Sequence, residues 1–177
     1  MSWTIQTLDI DGPLFEGAIR VYREAFSRPP YSDRERAGEV RTRIHAEHRP
    51  REGFAALAAV HSTGNVIGLT YGHHGGPGQW WHDTVRANIP IDLADRWLAD
   101  SYEVVEVAVD PAYQSLGIGR ALIAGLLDHR PEATCLLSTR TDSRAHNLYR
   151  RLGFEEIARM RFSEHGYLFY VLGKRLG

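Results

Sequence analysis

Cysteine is nearly absent from this sequence, since Cys135 is the only one among 177 residues. A single cysteine excludes an intrachain disulfide and a metal site built from several thiolates, and it is typical of proteins in a reducing compartment. Cys135 lies in the apolar run 134–137, and no basic neighbour in sequence would lower its pKa. We therefore expect a buried structural thiol and a cytoplasmic protein.

Long apolar runs and an excess of charge are also missing. No stretch approaches the length of a membrane span, and residues 1–5 lack the basic and apolar segments of a signal peptide. The net charge of -1 provides no global field toward nucleic acid or anionic membranes. Arginines alternate with glutamates between residues 34 and 52, and this charge pattern predicts a solvated helix. The arginines are Arg34, Arg36, Arg41, Arg43, Arg49 and Arg51. We predict neither nucleic acid nor membrane as a partner.

The apolar periodicity predicts one domain, residues 1–177, in which strands alternate with helices. Strands are expected near 3–8, 54–60, 66–71, 102–109, 134–139, 155–162 and 167–172. Helices are expected near 13–27, 33–48, 118–127 and 143–152, the second of them exposed or lid-like, and residues 93–98 are compatible with a further helix. Residues 72–78 are expected to break regular structure and to open an acceptor-side insertion near 72–100, because loops carry specificity on a fixed scaffold.

One strand, loop and helix unit has the composition of a phosphate site. Gly117 and Gly119 lack side chains, so backbone N–H groups at the start of the helix can approach an anion, and Arg120 adds a cation. An ordinary glycine-rich turn is the alternative. A P-loop is excluded because no lysine follows either glycine, and a Rossmann fingerprint is excluded because Leu122 replaces its third glycine.

Residues 107–122 resemble the acetyl-CoA motif of the GNAT superfamily of N-acetyltransferases, whose loop reads Gln/Arg-x-x-Gly-x-Gly/Ala. Residues 147–154 resemble the Asn-x-x-Tyr-x-x-x-Gly-Phe segment that follows in many such enzymes. The resemblance implies an α/β (α+β) fold: a mixed, mostly antiparallel sheet, flanked by helices, with a V-shaped splay between two central parallel strands.

The resemblance also implies acetyl-CoA as co-substrate. Its pantetheine arm would pair with the backbone of Val107 and Val109, and amides of residues 116–120 would hold its pyrophosphate. The candidate contacts are Val107, Ala108, Val109, Gln114, Ser115, Leu116, Gly117, Ile118, Gly119, Arg120 and Asn147. For Asn147, a simple surface role is the alternative.

Direct acetyl transfer to an amine needs a base for the ammonium proton and an acid for the departing thiolate. For an amine of lysine-like pKa, populating the neutral form at neutral pH costs roughly 4 to 5 kcal/mol. Glu103 matches the register of the base in some family members, and Glu106 is a candidate acceptor contact. Their odd spacing places them on opposite faces of a strand unless a bulge intervenes. The alternative to a catalytic role for either glutamate is that it only solvates the edge of the strand. Tyr149 matches the family's general acid, with simple packing as its alternative.

These observations predict an N-acetyltransferase that acts on a primary amine of a small molecule. A non-catalytic acyl-CoA-binding module and a protein N-terminal or lysine acetyltransferase are the alternatives. His73, His74 and His82 do not form a predicted metal site, because adjacent histidines in a strand point opposite ways. The sequence leaves open a homodimer and does not identify the acceptor.

Overall fold

A computed structural model describes residues 2–33 and 35–177, so that Arg34 lies outside the described residues. The strands are β1 (Trp3–Thr7), β2 (Ala55–His61), β3 (Val66–Gly75), β4 (Ser101–Val109), β5 (Thr134–Arg140), β6 (Glu155–Arg161) and β7 (Leu168–Arg175). The α-helices are α1 (Phe15–Phe26), α2 (Arg36–Arg43), α3 (Trp80–Ala87), α4 (Ile91–Leu98), α5 (Ile118–Leu127) and α6 (Ala145–Arg151). A π-helical turn, Ile44–His48, continues α2, and a 3-10 turn, Pro111–Tyr113, follows β4.

The first of two compact units contains residues up to 73 and residues 105–128. In it, β1 pairs antiparallel with β2 and β2 pairs antiparallel with β3. Helix α1 buries an apolar stripe against these strands, because its apolar residues recur at helical spacing. Helix α5 buries Ile118 and Leu122 in a separate cluster with Ile67 of β3.

The second unit contains residues 74–104 and 129–177. There β4 pairs parallel with β5 at its start, Ser101–Glu103 against Thr134–Leu136, while β5 and β6 both pair antiparallel with β7. Helices α3 and α4 bury apolar side chains against the strands, including Trp97 beside Leu136 and Val171.

The predicted fold class is confirmed. The sheet has seven strands in the order β1-β2-β3-β4-β5-β7-β6, it is mostly antiparallel, and helices flank it. The central strands β4 and β5 are the parallel pair, and the pairs between them lie at the starts of both strands, as the expected splay requires. The expectation of one domain over residues 1–177, with an acceptor-side insertion near 72–100, stays a prediction.

Two local predictions were wrong. Residues 72–75 continue β3 instead of breaking it, because glycine at a strand position is tolerated where neighbours approach closely; a Cβ on Gly75 would meet Ser101 Oγ at 2.8 Å. The charged second helix is also not simply exposed. Val40, Ile44 and His48 form a buried row at spacings of four residues, which the charges on the other faces conceal.

Candidate active site

The loop between β4 and α5 is anchored at its base and exposed at its tip. Asp110 accepts a hydrogen bond from the Ala112 amide (3.0 Å) and forms an ion pair with Arg20 (3.3 Å). The Gln114 side chain donates to the Val109 carbonyl at 3.2 Å. Residues 114–117 are exposed, so a fixed frame presents this loop to solvent.

The start of α5 has free backbone donors. Gly117 adopts the left-handed conformation (φ 82°) and provides no side-chain cap, and the first amide bonded to its carbonyl is that of Ala121 (3.0 Å). The amides of residues 118–120 therefore precede the helical ladder, where amides lack intrahelical partners. Open amides at the positive end of a helix suit an anion such as pyrophosphate.

Gly68 of β3 sets how closely α5 approaches the strands. A Cβ at this position would lie 3.0 Å from both Ile118 Cγ2 and Leu122 Cδ1. Because Ile118 is 1% exposed, its side chain anchors the start of the helix.

A network of two buried and two partly exposed side chains lies in the same unit. We call it the Glu106 cluster; Glu106 and Tyr22 are its buried members, and Arg36 and Arg43 are the partly exposed ones. The Glu106 Oε1 atom accepts hydrogen bonds from Tyr22 Oη (2.9 Å) and Arg36 Nη2 (3.2 Å), and Arg43 Nη2 lies 3.8 Å away. Arg36 Nε also donates to Tyr22 Oη at 2.6 Å. The carboxylate is held in one orientation on the face of β4 that packs against α1 and α2.

Charge in the Glu106 cluster is fixed by burial and pairing. Burial raises the pKa of the Tyr22 hydroxyl well above its ordinary value, and the Glu106 carboxylate acts in the same direction, so the phenol stays protonated. Burial opposes the charge on Arg36, but Glu106 and Tyr22 together outweigh it and raise the pKa of Arg36. The backbone at Glu106 is held as well, because Thr70 Oγ1 donates to its carbonyl at 2.9 Å.

Next to this cluster, two histidines form a buried pair in the same unit. His48 and His73 lie with ring centroids 5.5 Å apart, and His48 Nδ1 lies 3.1 Å from Tyr71 Oη. Burial, then Arg51, His73 and Arg43, lower the pKa of His48 to about 3. Arg51 Nη1 lies 2.8 Å from His73 Nε2, and an arginine only donates, so that nitrogen of His73 is the acceptor.

In the second unit, Tyr149 is buried on α6 and Asn147 is exposed two residues earlier. The Tyr149 ring packs edge to face with Phe154 at 5.9 Å, and Gly153 ends the helix with φ 86°. Glu103 lies buried on β4, beside Leu136 in the parallel ladder. The structure thus assigns Glu103, Asn147 and Tyr149 to the second unit, and Glu106 and the loop to the first.

Comparison with known proteins identifies the family. A sequence model of the acetyltransferase (GNAT) domain matches residues 83–156. The GCN5-like protein acetyltransferase Rv2170 of Mycobacterium tuberculosis is 33% identical, over 90% of each chain. The chain belongs to the GNAT acetyltransferase family. It is an acyltransferase, as its motifs predicted.

Solved structures share the fold of this acetyltransferase. PH1933 from Pyrococcus horikoshii has a TM-score of 0.70 at 20% identity and covers 99% of both chains. A GNAT family acetyltransferase from Brucella melitensis, solved in complex with acetyl-CoA, has a TM-score of 0.61 at 20% identity, covering 99% of this chain and 89% of that one.

Other candidate sites are accounted for by packing. Burial raises the pKa of the Cys135 thiol, which is fully buried and therefore inert, as expected from its apolar run. His82 lies between Asp83 and the Leu98 carbonyl at 3.0 and 3.3 Å. Within residues 2–33 and 35–177, no group of three or more His, Cys, Asp or Glu side chains could hold a metal ion. No helix in these ranges is long and apolar enough to span a membrane.

Sequence reasoning missed the partners of Glu106. Tyr22 lies within the helix predicted near 13–27, where helical apolar spacing indicates only packing, and Arg36 and Arg43 lie in the helix predicted to be solvated. A phenol within an apolar stripe was the one available signal, because such a hydroxyl needs a partner when it is buried. The two arginines lie seven residues apart and hence on one helix face, but their charge pattern did not show that this face turns inward.

Proposed function

We propose that this acetyltransferase uses acetyl-CoA as its acetyl donor and transfers the acetyl group to a primary amine by direct attack. The main support for acetyl-CoA as the donor is the open start of α5 behind an exposed loop, with Gly117 in the left-handed conformation. The acetyl-CoA complex of the Brucella melitensis enzyme, which has the same fold, supports the choice.

Backbone groups would bind most of the donor. The amides of residues 116–120 would hold the pyrophosphate, with Arg120 beside them, and the pantetheine arm would pair with Val107 and Val109. The remaining proposed contacts are Ala108, Gln114, Ser115 and Asn147. A bound pantetheine would compete for the Val109 carbonyl with the Gln114 side chain, which bonds it at 3.2 Å.

The chemistry requires two proton transfers. As the amine nitrogen attacks the thioester carbon, the carbon–sulfur bond breaks, one proton leaves the nitrogen and one reaches the sulfur. We propose Glu103 as the base and Tyr149 as the acid, with Glu106 as an acceptor contact. The bonds that Tyr22 and Arg36 donate to Glu106 favour this division, because they occupy Oε1 of this carboxylate and hold it in place.

For the acceptor, a protein amine is the class to test first. The relative that aligns over 90% of this chain is named a protein acetyltransferase, and a structure of the same fold is the ribosomal-protein-S18-alanine N-acetyltransferase of Escherichia coli. A small-molecule amine is the second class, and it is the class predicted from the sequence. Homodimer formation and a cytoplasmic location stay predictions.

A competition assay tests the proposal. Thiol release from acetyl-CoA is followed with free diamines and amino acids, with peptides that contain one lysine, and with peptides that have a free N-terminus. Turnover with any amine, verified by mass spectrometry of the acetylated product, supports transfer. Acetyl-CoA binding without thiol release over the whole panel would instead indicate a binding module.

A further inference from the structure

The arginines of the α2 region divide into two groups. On the outer face, each arginine has its own carboxylate: Arg41 bonds Glu16 at 2.8 and 2.9 Å, and Arg49 reaches Asp11 at 2.7 Å. On the inner face, Arg36 and Arg43 share the single carboxylate of Glu106. The inner face therefore carries more positive charge than its acids neutralise.

Arg51 adds to this excess. Among residues 2–33 and 35–177, its described side-chain partner is the imidazole of His73, whose Nε2 lies 2.8 Å from Arg51 Nη1. Arg43 and Arg51 both act electrostatically on the buried His48, whose pKa of about 3 leaves it uncharged near pH 7. Arg36, Arg43 and Arg51 thus bring three positive charges to a region where Glu106 pairs with the first two.

Arg43 is the member of the group whose donors are least used. Its nearest carboxylate oxygen is 3.8 Å away, beyond hydrogen-bond distance, and its Nε is buried without an acceptor among the described residues. A buried donor without an acceptor is costly, and a charged one more so. The side chain is nevertheless 37% exposed, so that a ligand can reach it.

The position of Arg43 relates it to the proposed reaction. Glu106, its neighbour, directly precedes Val107, whose backbone is the proposed partner of the pantetheine arm. An oxyanion bound at Arg43 would therefore belong to the acceptor, close to the acetyl end of the donor. A guanidinium edge offers two parallel N–H donors, which match the two oxygens of a carboxylate.

Resting on the proposed function, we infer that Arg43 binds a carboxylate carried by the acceptor near its reactive amine. Arg36 keeps Glu106 in place beside it, and Arg51 adds to the positive potential. The carboxylate belongs to a free amino acid or to an acidic residue next to the acetylated amine of a polypeptide.

The test uses acceptors in matched pairs. Amino acids and ω-aminocarboxylates are compared with their carboxamides, and peptides with an acidic residue beside the amine are compared with their amide counterparts, Glu replaced by Gln. For the wild-type protein we expect at least a tenfold higher kcat/KM with the carboxylate member, mainly through KM, because a charged bidentate pair is worth that much or more. Comparison of free amino acids with peptides identifies the source of the carboxylate, and phosphorylated amines test a phosphate as the alternative.

Arg43→Gln should remove the preference, Arg43→Lys should keep part of it, and Arg41→Gln is the control. The control removes the same charge from the same helix on its outer face, so the preference should persist. Acetyl-CoA affinity and melting temperature are measured for each variant. Equal use of carboxylate and amide by the wild-type protein, a preference retained in Arg43→Gln, or a preference for phosphate alone would each overturn the inference.

A second readout does not depend on turnover. N-acetyl amino acids and their amides are titrated calorimetrically into the CoA-saturated protein, where we expect tighter binding of the carboxylate and a loss of at least tenfold in Arg43→Gln. Binding that depends on Arg43 without any thiol release would refute acetyl transfer but retain the anion site. Thiol release without any carboxylate preference or carboxylate binding would refute the anion site but retain acetyl transfer.

Discussion

The first compact unit contains two regions built in opposite ways. The loop of residues 114–117 and the start of α5 are exposed and offer backbone amides. The Glu106 cluster is buried at Glu106 and Tyr22, and it offers side chains from α1, α2 and β4. A backbone site needs only a short run of suitable residues, whereas a side-chain site needs distant residues to meet; Tyr22 and Glu106 are 84 positions apart.

The loop is expected to be the more sensitive region, because a single carboxylate there opposes the pyrophosphate directly. Gly117→Asp should lower acetyl-CoA affinity at least about 100-fold, through charge repulsion and lost amide contacts. Calorimetry measures the change. Gly119→Asp is expected to behave in the same way.

Gly64→Asp is a matched control for Gly117→Asp. Both glycines have positive φ, 88° and 82°, and neither has an atom within 4 Å of the place a Cβ would take. The backbone strain is therefore similar, and only Gly117→Asp should lose the ligand. An equal affinity in a folded Gly117→Asp variant would remove the phosphate-loop assignment.

Tyr149→Phe should slow turnover roughly 100-fold while acetyl-CoA affinity stays unchanged. The expected rate loss lies at the lower end of general acid catalysis because a thiolate is a tolerable leaving group. The phenyl ring keeps its edge-to-face contact with Phe154. Single-turnover kinetics isolates the chemical step from product release. A normal rate under those conditions, with an unchanged melting temperature, would leave Tyr149 as a packing residue only.

The two carboxylates should differ in their pH dependence. Glu103→Gln should lower turnover about tenfold at pH 7, and the loss should shrink as pH rises, because an increasingly neutral amine needs less help from a base. Glu106→Gln should raise the KM of the acceptor at all pH values and lower the melting temperature, since Arg36 would lose its carboxylate. Wild-type pH profiles in both variants would mean that another group takes the proton.

The buried histidine pair should make folding sensitive to acid. The native pKa of His48 is about 3, against about 6.5 unfolded, so the unfolded chain binds a proton that the native state does not. Protonation of His48 in the unfolded chain therefore costs no stability well above pH 6.5. As the pH falls from 6.5 toward 3, it lowers the free energy of unfolding by up to about 1.4 kcal/mol per pH unit.

Urea unfolding at pH 7, 6 and 5 should therefore show a smaller loss of stability for His48→Gln than for the wild type. His61→Gln is the control, because His61 is half-buried at the end of β2 and its Nδ1 lies 2.8 Å from the hydroxyl of the exposed Thr63. Parallel losses in His48→Gln and the wild type would show that His48 is not the group that titrates.

Local patterns in the sequence located most helices and strands, including the strand, loop and helix around Gly117. Apolar spacing reports which face of α1 is buried, and Gly117 and Gly153 have the positive φ that glycine favours. Helix α3 was not predicted, and it begins at Trp80, soon after the glycines and proline of residues 72–78 that suggested a loop. The course of β3 through His73 was missed as well, since glycines on either side suggested a loop.

The sequence by itself determined the family, the loop and the candidate acid Tyr149, because each depends on residues close together in the chain. Only the tertiary structure decided that Glu106 is bonded by Tyr22 and Arg36, that His48 is buried and neutral, and that the inner arginines share one carboxylate. Charge pairing and burial depend on which helix faces turn inward, and that is set by packing over long sequence distances.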